Sequence, residues 1–411
     1  MYDPRRKRRP LVPVLALLLP ILLLVGIWLG GHPSVLPGFL RDSLAPDRDT
    51  RAIEETLDAI ETDYIRKVDR DRLVNESVDG VVKSLGDRFS HYFDPRSYRH
   101  FKETTEGAFS GVGINVTGHR RGLHVVEVIP NSPAQRAGLR RGDLVVAVGK
   151  RTIAGRSSQF ASGLIRGKPG TSVTLTVLHR GRRRAVPLTR ARVTVPSVDV
   201  AYRRVDGRKV AVVELTSFTE RVAELAKHVV DRALAAGAKG VILDLRGNGG
   251  GLLGEAVGVS SIFIPEGPIV STSGRSRGRR TYQASGRAIP SRIPLVVVVD
   301  GGTASAAEIV AGAMKDRKRG AVVGVKTFGK GVFQEVRPLP NGGALDLTVG
   351  QYFTPSGRSP GGAGNKRGAG ITPDVRARDA VGTRRDEALD AALRTLAGRL
   401  FAVTGRGDRL R

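Results

Sequence analysis

Two short apolar runs do most to limit how this chain can fold: Val-Ile-Leu ahead of Asp244, and Leu-Val-Val-Val-Val ahead of Asp300. A strand with one wet face alternates apolar and polar residues, whereas a strand apolar at every position must be covered on both sides. Each run leads through a glycine-rich turn into a stretch with helical spacing, Leu253–Ile262 after the first and Ala306 to Met314 after the second. Val210–Leu215 reads as a further strand and Glu220–Ala236 as a helix. Strand, helix, strand, helix in this order predicts an α/β domain.

The rest of the chain follows other rhythms. Ile53, Leu57, Ile60 and Tyr64 recur at helical steps, as do Leu73, Val74, Val78, Val81, Val82 and Leu85, predicting helices up to a break at Asp94-Pro95. Beyond the break, Gly113–Thr117, Leu123–Ile129, Leu144–Val148 and Val173–Leu178 are strand-like, separated by Gly, Asn and Pro. Ser271–Arg292, with six arginines and no acid, and the glycine-rich Ser356–Gly370 read as surface loops. Asp386–Leu400 reads as a closing helix.

The amino terminus sets a location. Five basic residues, Arg5 to Arg9, precede Leu11–Gly31, which carries no charge and is long enough to cross a bilayer as a helix. The positive-inside rule keeps the basic tail cytoplasmic and puts the rest outside; the competing reading is a cleaved signal peptide, but no small-x-small cleavage site follows Trp28 and the apolar run is longer than a signal peptide's usual core. A retained anchor in the cell membrane, with an extracytoplasmic catalytic part, is expected. That location bears on the formal charge of +28. It makes nucleic acid an unsuitable partner and leaves anionic headgroups or wall polymers, or an arginine-biased composition. The absence of cysteine excludes disulfides, thiolate metal sites and cysteine nucleophiles.

Residue inventory narrows the chemistry. No histidine follows His228, so a Ser-His-Asp triad confined to the α/β region is ruled out, and no HExxH zinc signature occurs. Gly324–Lys330 satisfies GxxxxGK, but Gly331 stands where a P-loop needs Ser or Thr, and the strand-like Val332–Val336 stands where it needs a helix. There remains Ser305, on the turn between a buried strand and a helix. There a nucleophile is exposed and free helix N–H groups can hold an oxyanion, although Thr303 or Ser305 could equally serve as an N-cap. Lysine is then the candidate base, and Lys330 lies between two glycines. Only 14 of the 67 basic residues are lysine, and arginine cannot deprotonate at usable pH.

Two resemblances become specific at this point. Gly111-Val112-Gly113-Ile114 is a Gly-Φ-Gly-Φ loop whose amides can cradle a peptide carboxylate. With Asn131-Ser132-Pro133-Ala134, Ala137–Asp143 and a groove helix near Ser158–Ile165, it resembles a circularly permuted bacterial PDZ domain. Leu243–Gly251 (LDLRGNGGG), Gly302–Ile309 (GTASAAEI), Thr327–Gly331 (TFGKG) and Gln334 resemble the motifs of the carboxyl-terminal processing, or tail-specific, proteases, with Thr303 and Ala307 where relatives often have serine. This resemblance implies Ser305 as nucleophile, Lys330 as general base and Gln334 as the residue orienting the lysine. Ala306 N–H and an amide of Gly249 or Gly250 are implied as the oxyanion hole. Arg166 matches an arginine that couples PDZ position to catalysis in some relatives, and it reads equally as a surface arginine. Asp316 is given a supporting structural role.

The expected fold is a ClpP/crotonase-like α/β protease core with an inserted β-rich PDZ domain, N-terminal helices and a single transmembrane anchor. The expected boundaries are a cytoplasmic tail at 1–10, the anchor at 11–31, helices at 47–103, PDZ at 104–190, the protease core at 191–376 and a helical tail at 377–411. The expected function is serine endopeptidase action on protein substrates with apolar C-terminal tails, without cofactor or metal. The family makes a homodimer through the terminal helices a further expectation. The alternative is a catalytically silent PDZ scaffold on the outer membrane face. An acyl-CoA enzyme of the crotonase type suits an external PDZ-bearing chain poorly.

Overall fold

The computed structural model describes residues 48–362, 369–380, 382 and 385–407, with 20, 25, 26 and 28. The expected basic tail and anchor therefore lie almost wholly outside the described residues, among which no helix is long and apolar enough to cross a membrane.

The chain divides into two units, Met1–Ser84 and Leu85–Arg411. In the first, the helical spacing produces α1 (Arg48–Asp63) and α2 (Arg70–Lys83). Asp69 caps α2 by accepting from Arg72 N–H, and Arg70 reaches back to Asp58 and Glu61 of α1 at 2.6 and 2.8 Å.

The second unit opens with β1 (His91–Phe93), α3 (Pro95–Thr105) and β2 (Ala108–Gly111). Asp94 caps α3 with two backbone hydrogen bonds and Pro95 begins it, so the Asp-Pro break starts a helix. The β-rich stretch comprises β3 (Ile114–His119), β4 (Gly122–Val128), α4 (Pro133–Arg136), β5 (Leu144–Val148), β6 (Arg151–Thr152), α5 (Ser158–Ile165), β7 (Ser172–His179) and β8 (Arg182–Thr189). Its sheet runs β3-β4-β5-β7-β8 around a core containing Leu123, Val125, Val145, Ile153, Leu175 and Val177. Arginines disguised β8 in the sequence: Arg182, Arg183 and Arg184 are exposed while Val186 and Leu188 point inward. β9 (Ala191–Thr194) then pairs with β2 and closes the insertion at its base.

The α/β core follows with β10 (Val198–Val205), β11 (Arg208–Leu215), α6 (Val222–Ala235), β12 (Val241–Asp244), α7 (Leu253–Ser261), β13 (Pro268–Gly274), β14 (Arg277–Gln283), β15 (Leu295–Val299), α8 (Ala306–Asp316), β16 (Ala321–Gly324), β17 (Val332–Pro338), β18 (Ala344–Phe353), β19 (Val375–Arg376) and α9 (Glu387–Gly407). The main sheet runs β10-β11-β12-β15-β16-β19, and every pair after β10·β11 is parallel. The apolar runs are buried on both faces, as their composition requires. Leu243, Leu295, Val297 and Val299 point to the side of α6, α7 and α8, while Ile242, Val296, Val298 and Val323 face α9 through Ala392, Leu396 and Leu400.

One expectation is corrected. Ser271–Arg292 is not a loop throughout: β13 and β14 form an antiparallel hairpin within a second sheet, in which β13 also pairs with β18. Arg277, Arg279 and Arg280 run along the exposed edge strand β14, while Val270, Ser271 and Thr272 of β13 are buried. An edge strand tolerates charge on both faces, so composition alone mimicked a loop.

Candidate active site

Ser305 follows β15 at the carboxyl ends of the parallel strands, where open α/β sheets place their ligands. The turn that carries it is held rigidly. Asp300 accepts from the N–H groups of Gly247, Gly302 and Thr303. Buried Thr303 donates its hydroxyl to Leu245 O at 2.8 Å, and buried Asn248 accepts from Ala304 N–H on its carbonyl at 2.9 Å. The chain then reaches Ser305 with φ 55 and ψ −119, a conformation that costs a non-glycine residue about 1–3 kcal/mol. Gly250 packs against this point: an added Cβ there would lie 2.7 Å from Ser305 Cβ and 2.9 Å from Ala304 O.

The strain is held by Glu308, one turn into α8 and fully buried. Its carboxylate accepts from Thr327 Oγ1 (2.5 Å) and Gly329 N–H (2.8 Å) on one oxygen, and from Lys330 N–H (2.9 Å), Ser305 N–H (3.0 Å) and Tyr352 OH (3.3 Å) on the other. The backbones of Ser305 and Lys330 thus share one oxygen atom. Tyr352 is itself buried and also donates to Ser305 O, and burial together with Glu308 pushes its phenol well above the usual range.

Lys330 is half-buried. Burial pushes its ammonium below the ordinary lysine range, against the opposing charges of Asp346, Asp87 and Glu308. Its Nζ lies 5.2 Å from the centroid of the Phe89 ring, which Arg88 covers at 4.5 Å. No hydrogen bond joins Lys330 Nζ to Ser305, or Lys330 to Gln334, among the described residues. Gln334 instead donates to Thr348 Oγ1 at 3.0 Å.

In the β-rich insertion, Gly111, Val112, Gly113 and Ile114 border a cavity of about 300 Å³ with Ser162, Ile165 and Arg166. Gly113 has φ 83, and a Cβ there would meet Ser132 Cβ at 2.1 Å, so only glycine fits. The carbonyls of Val112 and Gly113 accept from Ala134 and Ile129, while no acceptor among the described residues takes their N–H groups. Arg166, at the end of α5, stacks on Phe109 at 5.4 Å and bonds Glu103 (3.3 Å) and His100 Nδ1 (3.2 Å) of α3.

The sequence model of peptidase family S41 matches residues 209–377, that of the PDZ domain 110–189, and that of the N-terminal domain of the activating protease CtpB 41–97. The chain is 34% identical over 326 residues to the carboxy-terminal-processing protease of Bartonella bacilliformis, covering 78% of this chain and 73% of that one. It is 32% identical over 331 residues to the carboxy-terminal processing protease CtpA of Bacillus subtilis, covering 80% and 70%. The chain belongs to the carboxy-terminal processing proteases of peptidase family S41. The fold is shared with a solved structure assigned as an S41 protease of Bacteroides fragilis, at TM-score 0.50 and 17% identity over 82% of this chain and 91% of that one.

Several features of this S41 protease sharpen what its motifs suggest. Gly250 N–H is taken by Asn248 Oδ1 at 2.8 Å, so of the two glycine amides only that of exposed Gly249 is uncommitted. Asp316 accepts from Ser356 N–H and Oγ at 3.1 and 2.7 Å, tying down a turn as a structural residue would. Sequence reasoning quoted Glu308 within a motif and gave it no role, yet a glutamate three residues into a helix that starts at a serine is a capping signal. Phe89 carries no such signal, because it reaches Lys330 from a segment more than 200 residues upstream.

Proposed function

We propose that the protein is a membrane-anchored serine endopeptidase that captures the apolar, free C-terminal tail of a substrate protein in its PDZ groove and cleaves the chain with a Ser305–Lys330 dyad. The observation that carries this reading is the single Glu308 carboxylate holding both the strained Ser305 turn and the backbone of half-buried Lys330. A nucleophile at a helix start, tied through one carboxylate to the backbone of a desolvated lysine, suits acyl transfer.

In the proposed reaction, the Lys330 side chain leaves the Phe89 ring and, as a neutral amine, takes the proton of Ser305 Oγ. Burial favours that neutral form. The alkoxide attacks the scissile carbonyl, and the oxyanion is received by Ala306 N–H and Gly249 N–H. Lys330 then passes its proton to the departing amine, and water brought in by the same base hydrolyses the acyl-enzyme. Gln334 would orient the lysine after exchanging its bond to Thr348. The free amides of Val112 and Gly113 suit the tail carboxylate, β3 is the edge strand on which a peptide would pair, and Arg166 would relay groove occupancy to α3.

The test uses the full chain with a protein substrate ending in apolar residues, as a free acid or with an amidated terminus. Cleavage of the free acid by wild type, slower cleavage of the amide and none by Ser305→Ala supports the reading. Equal inactivity of wild type and Ser305→Ala across many tails supports the silent scaffold. Retention of the full chain in membranes washed with alkaline carbonate tests the anchor.

A further inference from the structure

The carboxyl edge of the main sheet carries a second concavity. A cavity of about 760 Å³ opens beside the ends of β15, β16 and β19, with Ala388 of α9 on its border. Neither Ser305 nor Lys330 borders it. The strand ends fix its geometry: Val299 of β15 pairs with Gly324 of β16, and Gly324 pairs with Arg376 of β19. The three chains then continue in step as Asp300-Gly301, Val325-Lys326 and Ala377-Arg378, and all six residues border the cavity.

Four cations and two acids border this cavity, and their commitments differ. Arg246 is neutralised by Asp244 (2.6 Å), Asp386 (2.8 Å) and Asp379 (3.4 Å). Asp379 also accepts from Ala388 N–H at 3.0 Å, and Asp300 is filled by the N–H groups of Gly247, Gly302 and Thr303. Lys326, Arg376 and Arg378, by contrast, make no hydrogen bond or ion pair among the described residues. The backbone N–H groups of Gly301 and Lys326 find no acceptor there either. The uncommitted polar groups among these are therefore all donors, three of them charged. They border one concave site, unlike the arginines strung along the β14 edge.

We propose that this cavity is a binding site for a ligand bearing a phosphate monoester or diphosphate. A guanidinium meets phosphate oxygens with paired N–H donors, and an ammonium adds a mobile point charge. A singly charged group such as a carboxylate would leave two of the three cations unmatched. A phosphate monoester or diphosphate brings more charge and several acceptor oxygens. The volume exceeds that of one phosphate group, which leaves room for the moiety that carries it. Lys326 lies in the stretch that mimics a P-loop, but the donors here come from three strand ends and not from one loop. The site shares Asp300 and Gly301 with the turn leading to Ser305, so the ligand would rest against that turn. The proposal stands whether or not Lys330 is the base.

The experiment titrates the full-length protein, in neutral detergent at physiological salt, with pyrophosphate and with short-chain phosphatidic acid, read by isothermal calorimetry. Wild type is compared with Lys326→Gln and with the double variant Arg376→Gln, Arg378→Gln. A second double variant, Arg182→Gln, Arg183→Gln, removes two charges from the exposed part of β8 as a control. One-site binding is expected, weakened tenfold or more by either cavity variant and unchanged by the β8 control. Tighter binding of pyrophosphate would mark a soluble ligand and tighter binding of phosphatidic acid a lipid headgroup; either result supports the site. No saturable binding by wild type, or undiminished affinity in the cavity variants, would overturn the proposal. So would equal weakening in the β8 control, since the affinity would then follow the overall charge of +28.

Discussion

Replacing Glu308 by glutamine keeps the size of the side chain and removes one acceptor oxygen from a buried site where five donors converge. If the new amide nitrogen sits where one oxygen now meets Thr327 and Gly329, the Gly329 N–H loses its acceptor. In the other orientation, the N–H groups of both Ser305 and Lys330 do. The first is the lesser loss: a stranded buried donor costs about 1–3 kcal/mol, and the remaining bonds each weaken by about 1 kcal/mol without the charge. With three bonds remaining on the other oxygen, the total is about 4–6 kcal/mol. Because the freed backbone belongs to the Lys330 segment, activity should fall further than stability alone accounts for, by about 100-fold for a displacement near 1 Å. Thermal unfolding and cleavage of a tailed substrate, with Glu308→Asp as a charge-keeping control, measure the two effects. A Glu308→Gln protein as stable as wild type and cleaving at wild-type rate would refute the account of how the site is held.

Other consequences are equally direct. Ser305→Gly should be more stable than Ser305→Ala by about 1 kcal/mol, because glycine accepts φ 55 without strain; equal melting temperatures would show that the turn stores none. Gly113→Ala should weaken binding of a free-acid apolar peptide, measured calorimetrically in the Ser305→Ala background, by tenfold or more (about 1.4 kcal/mol), since the new Cβ meets Ser132; unchanged affinity would place the peptide elsewhere. Lys330 carries a pH signature. Its proton is held less tightly folded than unfolded, so the unfolded state binds more protons between the lowered folded value and 10.5, and wild-type stability should rise with pH through that window. Lys330→Met should therefore be more stable than wild type near neutrality, with the difference shrinking toward pH 10.5. A difference independent of pH would mean that the ammonium is not desolvated.

The parts of the fold that composition constrains tightly were legible in the sequence. Apolar runs covered on both sides, as in β12 and β15, have few alternatives to a buried parallel strand. β8 and the β13–β14 hairpin were not legible, because their arginines stand on exposed faces and edges where strand pairing rather than hydrophobicity decides structure. The same division runs through the site. Ser305 and Lys330 stand within short motifs, whereas the Glu308 carboxylate ties their backbones together only in the folded turn. Phe89 and Asp87 come from more than 200 residues upstream. The backbone commitment of Gly250 to Asn248 is likewise a product of the folded turn, and only coordinates separate it from Gly249.

The central claim is that an uncharged lysine, and not merely a cation at this position, activates Ser305. Lys330→Arg tests it most directly, because arginine keeps the charge and much of the length but cannot serve as the base. The full-length variant should retain the wild-type circular dichroism spectrum and cooperative melting while showing no detectable cleavage of an apolar-tailed substrate. Cleavage by Lys330→Arg at the wild-type rate would contradict the dyad.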